Sequence, residues 1–284
     1  MNITRRAFLT HTTAALAGTT LLTQVQPVSA VTAKTQIQVG TCVNDLAQAR
    51  QAGLDGVEVG VGDAADRLAI ADPQVRARYK ELMEQTGLPI CSLMMGLFNG
   101  YPLASDPRAA AWIEQSIDAA QDLGARVILL AFFGHGDLLD AHEQVKHADV
   151  DAAVERIKAA APRAQDAGVI LGIENYLNGE QNERILDRIN HESVQIYYDV
   201  YNTGTTKRHD VPADIRRLQG RIAQFHFKNG DKYLDDEKAK FEPIAATIRE
   251  INYRGWIVLE TSSPSQDAVA DAKRNGDYVR KLFA

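Results

Sequence analysis

The sequence predicts an α/β chain folded as one (β/α)₈ TIM barrel. Three observations predict it. From Ile37 onward, eight short β-rich runs alternate with eight longer helical patterns, the order that builds a parallel sheet covered by helices. The stretch carrying them is about 250 residues long, the ordinary size of one such barrel. No G-x-G-x-x-G follows the first strand and no G-x-x-x-x-G-K-[ST] occurs, which disfavours the commonest nucleotide-binding open sheets.

In chain order the expected strands are Ile37–Cys42, Gly56–Gly60, Leu88–Leu93, Val127–Phe132, Val169–Glu174, Val194–Asp199, Ile222–Lys228 and Trp256–Glu260. The expected helices are Asn44–Ala52, Pro73–Thr86, Pro107–Leu123, Val150–Ala167, Asn182–Asn190, Pro212–Gln219, Ala239–Ile251 and Gln266–Leu282. Asp-Pro pairs open two of them, at Pro73 and Pro107, and Gly53, Gly87, Gly124 and Gly168 follow the ends of four, as helix-terminating glycines do. No internal linker or low-complexity stretch divides the barrel, so residues 31–284 are read as one domain.

Residues 1–30 are read separately, as a twin-arginine signal peptide. Thr4-Arg5-Arg6-Ala7-Phe8-Leu9 gives the paired arginines, and an uncharged Ala/Leu/Thr-rich stretch runs from Thr12 to Val25. Val28-Ser29-Ala30 then offers small residues for cleavage. The apolar stretch is too short and too Thr-rich to span a bilayer. The expected localisation is therefore periplasmic or extracellular, by the twin-arginine route.

Loss of Arg5 and Arg6 leaves 29 basic against 37 acidic residues, a net charge of −8. That balance argues against nucleic acid or an anionic membrane surface as a partner of the mature form. A homo-oligomer is left open. Cys42 and Cys91 both fall in expected strands. A chain that folds before export does so in a reducing compartment, so buried free thiols are expected of them rather than a disulfide.

Strand parity locates the chemistry. Side chains alternate faces along a strand, so Glu174 shares a face with Gly172 and Ile170, away from the apolar row Val169, Leu171 and Ile173. By the same rule Asp199 lies with Tyr197, His226 and Lys228 with Gln224, and Glu260 with Val258. Each ionisable group sits at the C-terminal end of its strand, where barrels open their mouths. A strand-end Glu alone is usually half of a salt bridge, and a His beside Phe is usually a core residue. Four consecutive strands delivering Glu174, Asp199, His226 and Glu260 to one rim are a different matter. Three carboxylates and an imidazole suit one divalent ion, with Mn²⁺, Mg²⁺ or Co²⁺ preferred and Zn²⁺ second.

The chain resembles the xylose isomerase-like barrels, in particular the sugar phosphate isomerases/epimerases and ketose 3-epimerases. The resemblance rests on Gly172-Ile173-Glu174-Asn175, Tyr198-Asp199-Val200-Tyr201-Asn202, Phe225-His226-Phe227-Lys228 and Leu259-Glu260-Thr261. It is tight over the second half; the first half shares the barrel rhythm, with Glu58 ending strand two and Gly134-His135 after strand four. It implies that Glu174, Asp199, His226 and Glu260 bind one divalent metal. It also implies that Glu174 and Glu260 move a proton at the carbon alpha to a carbonyl, through an enediolate. Such chemistry needs electrostatic stabilisation of the enediolate and a carboxylate on each face of the carbon. Where many of these epimerases carry a substrate-binding His, this chain has Asn202. Their Arg after the strand-seven His has no counterpart, and Lys228 is the nearest cation. Lys228, His135, Asn202 and Glu58 are accordingly the expected substrate-binding residues, each with a bland alternative as ion pair, loop or internal charge.

Phe98, Tyr101, Phe132 and Phe133 lie near the ends of strands three and four, available to stack on a sugar or to fill the core. Trp112 and Trp256 are assigned to packing, and Lys207-Arg208-His209 to a solvated loop or a phosphate contact. The leading function is a metal-dependent sugar isomerase/epimerase. The alternatives are a metal-dependent lyase or dehydratase on a keto sugar or keto-cyclitol, and a non-catalytic sugar-binding barrel. A phosphodiesterase like endonuclease IV is disfavoured, because the second and third strands lack the His ligands that a multi-zinc cluster needs.

Overall fold

Small residues facing large ones set the interior of this barrel. The computed structural model describes residues 37–284; the expected signal segment lies outside the described residues. Eight parallel strands, β1 (Ile37–Thr41), β2 (Gly56–Gly60), β3 (Ile90–Met95), β4 (Val127–Ala131), β5 (Ile170–Glu174), β6 (Val194–Asp199), β7 (Ile222–Phe227) and β8 (Gly255–Leu259), pair in chain order. The barrel closes where β8 pairs with β1. The helices that follow the strands are α1 (Leu46–Gln51), α2 (Pro73–Thr86), α3 (Ala109–Leu123), α4 (His147–Asp166), α5 (Gly179–Ile189), α6 (Val211–Arg217), α7 (Lys238–Glu250) and α8 (Ala268–Leu282).

The apolar row of each strand packs outward against the helices. Leu171 and Ile173 of β5, Phe225 and Phe227 of β7 and Ile257 and Leu259 of β8 belong to this larger core. Burying each such side chain contributes roughly 1.5–3 kcal/mol. A second, smaller core fills the lumen with Cys91, Val127, Leu129, Ala131, Tyr197 and Val258, and Trp256 packs against it. Two glycines admit these rings. A Cβ on Gly56 would meet the Trp256 ring at 2.7 Å, and one on Gly172 would meet Cβ of Tyr197 at 3.2 Å. The lumen is thus closed below by large side chains, and polar groups collect above them.

Boundaries shift from the expected ones for local reasons. β3 starts at Ile90 rather than Leu88, because Pro89 has no N–H for the ladder; its carbonyl accepts instead from the Val57 amide at 3.1 Å. α5 starts at Gly179 rather than Asn182, because Asn178 and Gln181 cap it reciprocally. α2 is capped by Asp72 with Pro73 in its first turn, and Gly87 ends it in the left-handed conformation at φ 70°. Around the outside, Arg163–Asp118, Arg188–Asp151, Arg217–Glu183 and Arg216–Glu250 tie successive helices together. Such exposed pairs contribute at most about 1 kcal/mol each. Both cysteines are free; Cys91 is buried, and Cys42 lies half-buried just past the end of β1.

Candidate metal and catalytic site

Register, as well as parity, assembles the site. Ladder pairing sets Ala131 of β4 beside Glu174, and Asp199 of β6 beside His226 of β7. The second alignment depends on a register shift between Ile196 and Tyr197. Glu260 directly follows β8, and its amide donates to the Phe227 carbonyl at 3.0 Å, which holds it on the same rim. One ligand atom from each of Glu174, Asp199, His226 and Glu260 lies within 4.8 Å of all the others. The first three are buried and Glu260 faces the mouth, its side chain 34% exposed.

His226 is the hub. Its Nδ1 lies 3.2 Å from Oε1 of Glu174, 3.4 Å from Oε2 of Glu260 and 4.0 Å from Oδ2 of Asp199. Its Nε2 points the other way, 3.0 Å from Oε1 of Glu58. The Tyr197 ring packs against the imidazole, with centroids 4.5 Å apart. Lys228 sets its ammonium 2.7 Å from Oε2 of Glu260 and 2.9 Å from Oδ2 of Asp199.

Crowding of buried charge shifts the four candidate ligands and Lys228. Burial pushes the Glu174 carboxyl up to about 7, against the opposing pull of His226. Burial also raises Asp199, partly offset by Lys228 and His226. Glu260 is driven up by burial, but the His226 and Lys228 charges outweigh it and hold it below the usual carboxylate value. Burial would lower His226 and Lys228; Glu58 and Glu174 hold the former well above its ordinary value, and Asp199 and Glu260 raise the latter. Burial lifts the Cys42 thiol to about 11, so it is no nucleophile at neutral pH.

The donor set fits a hard divalent cation. Oδ2 of Asp199 is fully enclosed and faces the Lys228 ammonium at 2.9 Å, while its partner Oδ1 accepts from the amides of Tyr201 and Asn202 at 2.7 Å each. Buried carboxylates are costly unless cations face them, and here one ammonium is shared between Asp199 and Glu260 while Glu174 faces the imidazole. Three oxygen donors and one imidazole, with an excess of negative charge around them, suit Mg²⁺ or Mn²⁺ better than a thiolate-seeking metal.

The expected substrate-contacting residues scatter. Lys228 joins the cluster. Asn202 is buried behind Asp199, where its backbone amide braces the carboxylate and it opens a π-helical turn, Asn202–Thr206. His135 stands exposed in the short turn Gly134–Gly136, outside the cluster. Glu58, expected to reach substrate or to form an internal ion pair, is fully enclosed in the lumen beneath His226, and the β2–β3 register shift sets Ser92 beside it. Of the aromatic residues, Phe98 and Phe132 are core, whereas Tyr101 is exposed and packs edge-on to Trp112. Phe133 is half-buried on the lumen side, edge-on to Tyr176 with ring centroids 4.7 Å apart. Tyr176 was not singled out by any sequence pattern, since it lies in the loop after β5. Lys207 of the basic run sits 5.0 Å above its ring and pairs with Glu143, and His209 Nε2 lies 3.2 Å from its carbonyl oxygen.

A closed barrel with an acid-and-imidazole centre at the C-terminal rim of β5 to β8 defines the class. Within it, the chain belongs to the xylose isomerase-like TIM barrel family, whose pattern matches residues 46–282. Its fold is that of known sugar epimerases. The D-allulose 3-epimerase from Methylomonas sp., solved with D-allulose, superposes with a TM-score of 0.69 at 17% identity, covering 87% of this chain and 98% of that one. The 3-keto-D-glucoside 4-epimerase from E. coli superposes at 0.67 with 16% identity, over 87% and 99%. A xylose isomerase-like barrel from Mycobacterium smegmatis, solved in complex with magnesium, superposes at 0.63 with 16% identity, over 84% and 86%. No curated protein matches the sequence.

Proposed function

We propose that the protein is a divalent-metal-dependent isomerase/epimerase of a free or keto sugar. The observation that carries this is the convergence of Glu174, Asp199, His226 and Glu260 within 4.8 Å at the barrel mouth, with Lys228 beside them. Those four residues would hold the cation. Bound there, the cation supplies Lewis-acid stabilisation of negative charge on a substrate oxygen.

The chain's own groups account for the proton movements. Glu174, buried at the rim and deprotonated when it ligates the cation, is placed to act as the base. Glu260, held ionised by His226 and Lys228, approaches the pocket from the strand three positions further round. Two carboxylates on different sides of one carbon can remove and return a proton with inversion. The Lys228 ammonium, fixed between Asp199 and Glu260, can donate a hydrogen bond to a substrate oxygen at the mouth. Phe133 and Tyr176 offer a ring edge and face for the apolar side of a sugar. Trp256, Val258 and Leu129 close the lumen beneath, which keeps bulk water from entering from below.

The position of Lys228 also favours a second reading, a lyase or dehydratase. An ammonium at hydrogen-bond distance from Glu260 could protonate a leaving hydroxyl after the first proton abstraction. One experiment separates these readings. Protein loaded with Mn²⁺ is incubated with a panel of ketoses and 3-keto-glycosides in D₂O. Epimerisation gives a stereoisomer carrying one deuterium at the carbon alpha to the carbonyl. Elimination gives an unsaturated product. Exchange with none of the panel would leave a sugar-binding barrel without this chemistry.

A further inference from the structure

The face of His226 turned away from the rim leads into a chain of buried polar side chains. Oε1 of Glu58 lies 3.0 Å from Nε2 of His226. Oε2 of the same carboxylate accepts from Ser92 Oγ at 2.7 Å, and Ser92 Oγ accepts from Gln224 Nε2 at 3.3 Å. All four side chains are buried, with Glu58 and His226 at 3% and 1% exposure. The chain draws on β2, β3 and β7, so it crosses the lumen instead of following one strand. The shift between β2 and β3 creates it: Val57 pairs with Ile90, but Glu58 then pairs with Ser92.

A buried carboxylate is costly, and this one holds no substrate-accessible surface. Its two oxygens are used in two fixed directions, one toward the ring and one toward a hydroxyl. We infer that Glu58 is the positioning residue of the metal centre: it accepts the Nε2–H of His226, so that Nδ1 is the nitrogen presented to the cation, with Ser92 and Gln224 holding Glu58 in turn. This rests on the proposed metal site and adds the orientation and tautomer of its single nitrogen ligand. The physical reason is general. An imidazole free to rotate can offer either nitrogen, and the hydrogen bond to one decides which carries the lone pair outward. The Tyr197 ring restricts the tilt of the imidazole, but it makes no choice between the two nitrogens.

The test reads the nitrogens directly. Protein labelled with ¹⁵N-histidine is loaded with ¹¹³Cd²⁺, and His226 is assigned by the signal lost in His226→Asn. Scalar coupling to cadmium is expected on Nδ1, with a proton retained on Nε2. Coupling on Nε2 would overturn the inference while leaving His226 as a ligand. Cadmium bound with coupling on neither nitrogen would remove His226 from the metal site, and this inference with it. Calorimetry with Mn²⁺ gives the second readout. Glu58→Ala should weaken binding about 10–100-fold, the usual effect of removing such a partner. Glu58→Gln keeps an acceptor oxygen for Nε2–H and should recover most of that loss. Wild-type affinity in a folded Glu58→Ala would also overturn the inference, and if that variant does not fold the cadmium coupling decides alone.

Discussion

Lys228 and Glu260 form an ion pair of 2.7 Å at the mouth of the barrel, and the same ammonium reaches Asp199 at 2.9 Å. One fixed positive charge therefore shares two carboxylates with the cation proposed for the site. Removing one partner of a largely buried pair leaves uncompensated charge, typically costing about 3–5 kcal/mol when burial is complete and less at this half-open position. Lys228→Met should thus lower the melting temperature of the metal-free protein. It should also enlarge the stabilisation gained on adding Mn²⁺, because the carboxylates lose their competing cation. Thermal melts with and without the metal check this; an unchanged metal-induced shift would rule out competition between Lys228 and the cation.

Asp199 has two separable duties. Oδ1 braces the turn after β6 by accepting from the amides of Tyr201 and Asn202, while Oδ2 faces the cluster and the Lys228 ammonium. Asp199→Ala removes both and should cost about 1–3 kcal/mol of stability as well as the metal. Asp199→Asn keeps the acceptor for the turn and loses the charge. It should fold near normally yet bind Mn²⁺ far more weakly, and His226→Ala should likewise fold without retaining metal. Metal content after gel filtration decides the point, and stoichiometric metal in both Asp199→Asn and His226→Ala would exclude the proposed centre.

Metal binding should be linked to pH. Glu174 titrates near 7 in the folded protein against an ordinary 4.5, so the folded state holds a proton there that the unfolded chain has released. Its contribution to stability is full below about 4.5 and is lost as the pH rises through about 7. His226, also raised, contributes in the same direction, with loss at still higher pH. A cation needs both groups deprotonated on their ligating atoms. Binding at about pH 6 should therefore release roughly two protons, and at about pH 8 roughly one, with affinity rising between them. Calorimetry in buffers of different ionisation heat counts the protons; equal release at both values would contradict the raised Glu174.

The second half of the site is legible in sequence because it depends on short-range geometry. Alternation along each strand puts Glu174 with Gly172, Asp199 with Tyr197 and His226 with Gln224, and the apolar neighbours reveal which face turns outward. The eight-fold alternation gives the barrel for the same reason. For Glu58, parity leaves substrate contact and an internal ion pair open, because its partners His226 and Ser92 come from other strands, Ser92 through a register shift against β3. Tyr176 escapes because loop residues carry no periodicity. His135 lies in an exposed turn after β4, and a loop of this kind carries no periodicity that would place its side chain. The π-helical turn at Asn202–Thr206 is equally hidden, being set by the carboxylate of Asp199 and not by helix propensity.

Export is testable without the fold. The expected signal rests on Arg5 and Arg6 followed by an uncharged stretch and Val28-Ser29-Ala30. The mature protein should begin near Val31 and appear outside the cytoplasm, and Arg5→Lys with Arg6→Lys should retain it inside as the full-length chain. N-terminal sequencing of the exported fraction and cell fractionation measure both. Unchanged export of the double variant would exclude the twin-arginine route.

Glu174 and Glu260 occupy the same cluster in different electrostatic states, and that difference makes a mechanistic test possible. Glu174 is enclosed and raised to about 7, whereas Glu260 is 34% exposed and held low by His226 and Lys228. Glutamine at either position preserves size and one coordinating oxygen but cannot accept a proton as a carboxylate does. Both variants should retain Mn²⁺, more weakly, and lose turnover by roughly 10²–10⁴-fold, the range for removing a general base. If the reaction is epimerisation, one variant should still exchange deuterium into the substrate from a single face without converting it, since the other base remains. If it is elimination, Glu260→Gln should be the milder lesion, because Lys228 beside it can supply the second proton transfer. Stopped assays in D₂O with product analysis distinguish these outcomes. Full activity in both variants would leave the two carboxylates as ligands alone and require another base.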